Sequence, residues 1–174
     1  SFYKAHGYFS DDHGKTFQLG RSVNIPGSNE SMATELSNGH LMMNIRNQRG
    51  DIRSRIVAIS TSGGEQWDTA YFDHNLPDPV CQGSILTLGK KGKKNILAFC
   101  NAADTARRDN LTLRISFDEG LNWDKKFVID KSDGRTKEDQ AAYSDLVILD
   151  KNTIGILYER NNYQQITFIR QRWR

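Results

Sequence analysis

Three stretches of the chain share one rhythm: a serine, an acid two places on, a glycine two further, and an aromatic residue in the eighth position. They read SDDHGKTF at 10–17, STSGGEQW at 60–67 and SFDEGLNW at 116–123, with Ser62 replacing the aspartate in the middle copy and Phe17 replacing tryptophan in the first. Recurrence at a long, nearly even interval marks a structural unit used several times. Within each copy the chemistry is local. Serine and aspartate oxygens can accept backbone N–H groups of a tight turn, glycine takes a conformation closed to other residues, and the ring is free to pack between neighbouring units. A calcium loop would need alternating oxygen ligands from its first position and a closing glutamate, which DDHG does not provide. The copies are therefore turns.

Between these turns lie short runs rich in β-branched and apolar residues: ELSNGHLMMNIRN, RIVAISTSGG, GSILTLGKKGKKNILAFC, NLTLRISFDEG, YSDLVILDKNTIGILYE and QQITFIRQRW. No segment keeps a helical period beyond two turns, so the chain reads as antiparallel β. Asn38-Gly39 supplies a tight turn, and GKKGKK at 89–94 reads as a longer, solvated lysine tip rather than a polyanion site. The interval of about 55 residues suits one four-stranded sheet of a radial array, a propeller blade. The expected strands of the first blade lie near 32–36, 41–46 and 55–60, with a fourth after the turn at 60–67; later copies begin near 83 and 144. That makes about three blades. Closed propellers have at least four, so open edges are expected at both ends.

The 37% hydrophobic and 10% aromatic residues supply enough apolar surface for a core. A net charge of +3 does not call for nucleic acid, though it leaves room for an anionic small substrate. No apolar run approaches the roughly 20 residues of a membrane span. Cys81 and Cys100 read as two buried thiols, and the four histidines, 6, 13, 40 and 74, have no paired metal spacing. The chain begins SFYKAHGYF, without methionine and directly before the first turn, as a fragment starting mid-fold would.

The segments NESMATELSNGHLMMNIR, VCQGSILTL, RRDNLTLRISFDEGLNW, AYSDLVIL and IGILYERNNYQQITF follow in order, and their order and spacing resemble the C-terminal half of the Asp-box exo-α-sialidases (neuraminidases) that use a tyrosine nucleophile. The resemblance spans essentially residues 1–174 and implies an all-β, six-bladed sialidase propeller of which this chain holds about three blades. Carried over position by position, it makes Tyr143 the nucleophile and Glu30 the carboxylate that activates it, with Glu35 and Glu159 as rivals. Arg46 and Arg108 correspond to two members of an arginine triad that clamps the sialic acid carboxylate, Arg107 being the rival of Arg108, and Gln82 lines the substrate pocket.

These residue types suit that substrate. Sialic acid carries a carboxylate on its anomeric carbon, so a neutral phenol avoids the repulsion that a carboxylate nucleophile would meet. A phenol with a free pKa of about 10 needs a carboxylate in hydrogen-bond reach to take its proton. Guanidinium forks match a carboxylate in a way that ammonium groups do not. Sialidases are the known exception to the two-carboxylate pattern of glycosidases.

The family also uses a first arginine in a Phe-Arg-Ile-Pro-like motif and an acid/base aspartate, both in the N-terminal half. No such motif occurs here, and Asp73 and Asp78 occupy positions the family does not use for that role. The expectation is a fragment of a retaining exo-α-sialidase that is inactive alone. Its partners would be sialylated glycans and the missing N-terminal half of the propeller, with no cofactor, metal, nucleic acid or membrane span. The alternative is a non-catalytic sialic-acid-binding or interaction propeller. Lean loops and the lack of disulfide patterning favour a bacterial protein, secreted, periplasmic or at the cell surface.

Overall fold

Glycine and asparagine turns cut the chain into short strands, and those strands pair with their sequence neighbours. The computed structural model describes residues 3–135 and 137–174, and the regular elements among them are all β-strands. A hairpin of β1 (Tyr8–Phe9) and β2 (Gln18–Leu19) precedes a four-stranded antiparallel sheet of β3 (Ser28–Glu35), β4 (Leu41–Asn47), β5 (Ser54–Ser60) and β6 (Thr69–Pro77). A second four-stranded sheet contains β7 (Gly83–Lys91), β8 (Lys94–Ala102), β9 (Leu111–Ser116) and β10 (Lys125–Asp130). The third sheet, β11 (Ala141–Asp150), β12 (Thr153–Arg160) and β13 (Gln165–Arg172), has three strands.

Two sheets thus match the expected blade, and the third departs from it. Among the described residues β13 is the edge strand of that sheet, paired with β12 alone. The β1–β2 hairpin carries the first turn in the place that a third and fourth strand give it in the complete blades. The lysine tip also differs from expectation: Lys91 pairs with Lys94, so the strands run almost to the end and a two-residue turn at Gly92, with φ of 61°, closes them.

The repeated turns work as their chemistry predicts. Ser10, Ser60 and Ser116 each accept the backbone N–H of the glycine four residues on, at 2.7, 2.9 and 2.7 Å. Asp12 and Asp118 accept the N–H of Thr16 and Asn122, both at 2.8 Å, and Ser62 accepts that of Gln66 at 3.1 Å, so a serine oxygen can replace the aspartate. Gly14, Gly64 and Gly120 all lie at positive φ, between 82° and 97°.

First strands of successive sheets lie side by side, β3 against β7 and β7 against β11. Sheet faces stack around them. Trp123 packs with Met42, Val57, Leu76, Leu97 and Phe99 between the first two complete blades, while Trp67 leans on the cluster of Val23, Met43, Ile45 and Ile56. Because middle strands are covered on both faces, β8 and β9 are buried almost throughout. Phe17 departs from the expected inter-blade packing. It is 60% exposed and meets only Tyr8 edge-on, since no further sheet stands on its side among the described residues. At the opposite end Val147, Leu157, Ile166 and Phe168 leave an apolar face of the third sheet open.

Candidate active site

Each blade begins its first strand with a residue that the sequence singles out. Glu30 lies in β3, Gln82 directly precedes β7, and Tyr143 lies in β11. Two of these strands are bulged there. From Ser28 to Ser31 the chain advances three residues while its partner β4 goes back two, from Asn47 to Ile45. From Ala141 to Ser144 it again advances three while β12 goes back two, from Arg160 to Tyr158. One extra residue in each strand breaks the inside–outside alternation and re-aims a side chain. Glu30 and Tyr143 sit in these bulges.

Their side chains meet. The Tyr143 hydroxyl donates a short hydrogen bond to Glu30 Oε1. Arg46, one residue from the end of β4, completes the triangle: its Nη1 lies 2.7 Å from Glu30 Oε2 and 2.9 Å from Tyr143 Oη. Burial raises the Tyr143 pKa above its ordinary value, and the hydrogen bond and negative charge of Glu30 push it the same way, against the opposing pull of Arg46 and Arg108. The resting phenol is therefore neutral.

Arg108 comes from the connection between β8 and β9. Its backbone N–H donates to Asp139 Oδ1 at 3.1 Å, and its carbonyl accepts from Gln140 and Ala141 at the start of β11, at 2.9 and 3.3 Å. The guanidinium consequently lies over the Tyr143 ring, with Cζ 5.5 Å from the centroid. Its Nη1 donates to Tyr163 Oη at 3.0 Å and its Nη2 to the Val80 carbonyl at 3.1 Å. Arg107 turns away to Asp109, 2.7 Å distant, and to Ser132. Gln82 turns its Oε1 to the backbone N–H of Ser144, at 3.0 Å, and so ties the second blade to the strand that carries Tyr143.

Of the rival carboxylates, Glu35 is exposed at the far end of β3. Glu159 Oε2 accepts the backbone N–H of Tyr143, at 3.2 Å, rather than its hydroxyl. A cavity of about 280 Å³ lies beside Tyr143, Gln82 and Glu159. Leu157 and Ile166 on the open face of the third sheet also wall it, and neither Glu30, Arg46 nor Arg108 lines it. The polar cluster, and not that cavity, defines the site.

A buried pair that sequence reasoning passes over braces the cluster. Arg55, fully buried in β5, lies 3.3 Å from Asp78, and its Nε donates to Asn44 Oδ1 at 2.7 Å. Asp78 in turn accepts the backbone N–H of Asn47 at 2.8 Å and of Cys81 at 2.9 Å. It thus joins the neighbour of Arg46 to the neighbour of Gln82. An arginine inside the apolar run RIVAIS was the available signal, since a charge in a middle strand needs a partner. Asp73 acts locally within β6, accepting the N–H of Asn75 at 2.9 Å. Cys81 and Cys100 are free and buried, and burial pushes both thiols up to about 12.

Residues 1–156 match the family model described as a BNR repeat-like domain. The chain belongs to that family. It is similar to a sialidase from Micromonospora viridifaciens, 34% identical over 90% of this chain and 24% of the relative. A sialidase from Bacteroides fragilis (strain YCH46) is 34% identical over 87% of this chain and 27% of the relative. Among solved structures the Hadza microbial sialidase Hz136 superposes with a TM-score of 0.77 at 28% identity, over 95% of this chain and 31% of that one. The chain spans about a quarter of the length of those two relatives. The chain is thus an all-β member of the BNR repeat-like family, and its sheets correspond to part of the propeller of that solved sialidase.

Proposed function

We propose that this BNR-repeat chain forms the C-terminal half of a sialidase propeller and supplies the nucleophile, its activating carboxylate and two substrate-carboxylate ligands of a retaining exo-α-sialidase. One observation carries the reading: the Tyr143 hydroxyl touches both Glu30 and Arg46, two groups of opposite charge delivered by another blade. The fourfold resemblance at positions 30, 46, 108 and 143 and the sialidase relatives support it.

In this scheme the substrate carboxylate is held by the guanidiniums of Arg46 and Arg108, and the anomeric carbon faces Tyr143 Oη. As the glycosidic bond breaks, the tyrosyl oxygen bonds to that carbon and its proton passes to Glu30 Oε1. A raised phenol pKa does not oppose this step, because the proton leaves only as the new bond forms. Arg46 then stabilises the charge on both Glu30 and the phenolic oxygen. Water releases sialic acid with its configuration retained. The leaving group must be protonated by an acid/base aspartate, and a third arginine completes the clamp; both would come from the rest of the propeller, so the chain alone binds sialic acid weakly and turns over little. Terminal sialic acids of glycoconjugates are the substrate class, and a secreted, periplasmic or surface location would give access to them.

Tyr143→Phe in the protein carrying the whole propeller tests the scheme. Hydrolysis of an aryl sialoside should fall at least about 1,000-fold, while sialoside binding persists. Full hydrolysis by the variant overturns the mechanism; an unaltered wild-type protein that binds sialosides without hydrolysing them would make it a binding propeller.

A further inference from the structure

Arg108 is held by two partners that have one property in common. Val80, whose carbonyl accepts Nη2, has φ of 64°, and Tyr163, whose hydroxyl accepts Nη1, has φ of 65°. Left-handed backbone is disfavoured for any side chain with a Cβ, most of all for β-branched and bulky residues. Neither position is a glycine. Tyr163 ends a run of three such residues, Asn161, Asn162 and Tyr163, in the turn between β12 and β13. That turn is secured by Asn162 N–H on the Asp139 carbonyl, 2.7 Å, and Asn161 N–H on that of Gln140, 2.9 Å. Strain of this kind persists only where surrounding contacts enforce it, and it gathers at functional sites.

The proton arrangement at Tyr163 is determined by its neighbours. The phenol has one hydrogen, which goes to Asp139 Oδ2 at 2.5 Å, so a lone pair is left facing the guanidinium. Asp139 uses its other oxygen on the backbone N–H of Arg108 itself, at 3.1 Å. One carboxylate therefore fixes both the backbone of the arginine and the hydroxyl that orients its side chain. With Nη1 and Nη2 each spending one hydrogen on these partners and Cζ 5.5 Å from the centroid of the Tyr143 ring, the rotation of the fork is set before any ligand arrives.

We infer that Tyr163, oriented by Asp139 and opposed by the Val80 carbonyl, is a positioning residue that pre-orients Arg108 for a ligand carboxylate. The inference rests on the reading of Arg108 as a carboxylate ligand. Its consequence is that discrimination between an acid and its neutral ester depends on a hydroxyl that need not touch the ligand. Removing that hydroxyl leaves charge and fold in place but frees the fork, and ordering it then falls to the ligand, which binds more weakly.

Tyr163→Phe in the full chain is the test, with two readouts. The first needs no ligand: in the wild type the Arg108 Nε–Hε pair should give an ordered, slowly exchanging NMR signal, which in the variant becomes mobile. The second is titration with N-acetylneuraminic acid and with its methyl ester. The acid-over-ester preference should drop about tenfold in the variant. An Arg108 signal equally ordered in Tyr163→Phe overturns the inference. If the signal is lost as expected but the wild type binds neither acid nor ester, the positioning stands and the sialic acid reading of the site falls.

Discussion

Arg46 Nη1 lies 2.9 Å from the hydroxyl of Tyr143, a residue 97 positions further along the chain, and 2.7 Å from Glu30 on the adjacent strand. One nitrogen thus spans an acid and a phenol. Lysine at this position would keep the charge but lose the planar fork, so it would offer a ligand carboxylate a point charge in place of a fixed pair of donors. Arg46→Lys is expected to weaken binding of N-acetylneuraminic acid about tenfold or more, measured by NMR titration, with the fold unchanged. Unchanged affinity would remove Arg46 from the clamp.

Glu30→Gln separates the electrostatic and the proton-accepting roles of the carboxylate. After burial, Glu30 is the main influence that raises the Tyr143 pKa, while Arg46 and Arg108 lower it. Substitution removes the first influence and releases Arg46 from its ion pair, so Tyr143 should titrate at lower pH than in the wild type. The Tyr143 ring carbon resonance followed against pH reads this directly. In a complete sialidase propeller the same variant should nevertheless lose most of its hydrolysis, since the phenol is then more acidic but has no base to receive its proton. A Tyr143 that titrates higher in the variant would contradict the geometry.

The buried Arg55–Asp78 pair predicts an asymmetric response. Asp78→Ala strands a fully buried guanidinium and releases the backbone N–H groups of Asn47 and Cys81. A loss of about 3–5 kcal/mol is expected in urea unfolding. Replacing both members, Arg55→Met with Asp78→Leu, removes the stranded charge and should recover a good part of that loss, though the two N–H groups stay unpaired. A double variant less stable than Asp78→Ala would reverse this account.

How far the sequence could be read depended on how local each feature is. The repeated turns were legible because serine, aspartate and glycine satisfy one another within eight residues, and strand order followed from their spacing. Glu30, Arg46, Arg108 and Tyr143 were named only through family resemblance; the structure brings them together, yet nothing local in SNES or AYSDL announces a bulge. The extra residue in each strand is visible only in the register against β4 and β12. Val80 and Tyr163 were illegible for a stronger reason, since their left-handed backbone contradicts their residue types. Arg107 and Arg108, adjacent and chemically alike, are parted by tertiary contacts alone: Ser132 and Asp109 draw one away, and Tyr163 and Val80 hold the other. The open aromatic at Phe17 shows the converse, a repeated turn whose ring meets Tyr8 edge-on and stays exposed among the described residues.

Glu119 joins the first two complete blades and gives them a dependence on pH. It belongs to the third repeated turn, yet its carboxylate accepts the backbone N–H of Ser37 in the first blade at 2.5 Å and that of Asn95 at 3.2 Å, and pairs with Lys94 at 2.8 Å. Burial alone would raise its pKa, but the hydrogen bonds from Lys94, Ser37 and Asn95 outweigh that and bring it from 4.5 down to about 2. A carboxyl depressed in the folded state binds its proton more readily when unfolded. Its contribution is therefore complete above about pH 4.5 and disappears as pH falls towards about 2. Glu119→Gln should lower stability by about 1–2 kcal/mol at pH 7, because the amide has only one oxygen to offer and places an NH₂ against a donor. The gap between variant and wild type, taken from denaturant midpoints at pH 7, 5, 4 and 3, should close across the acid half of that series. A gap of constant size would mean that side-chain shape, rather than ionisation, holds the two blades together at this point.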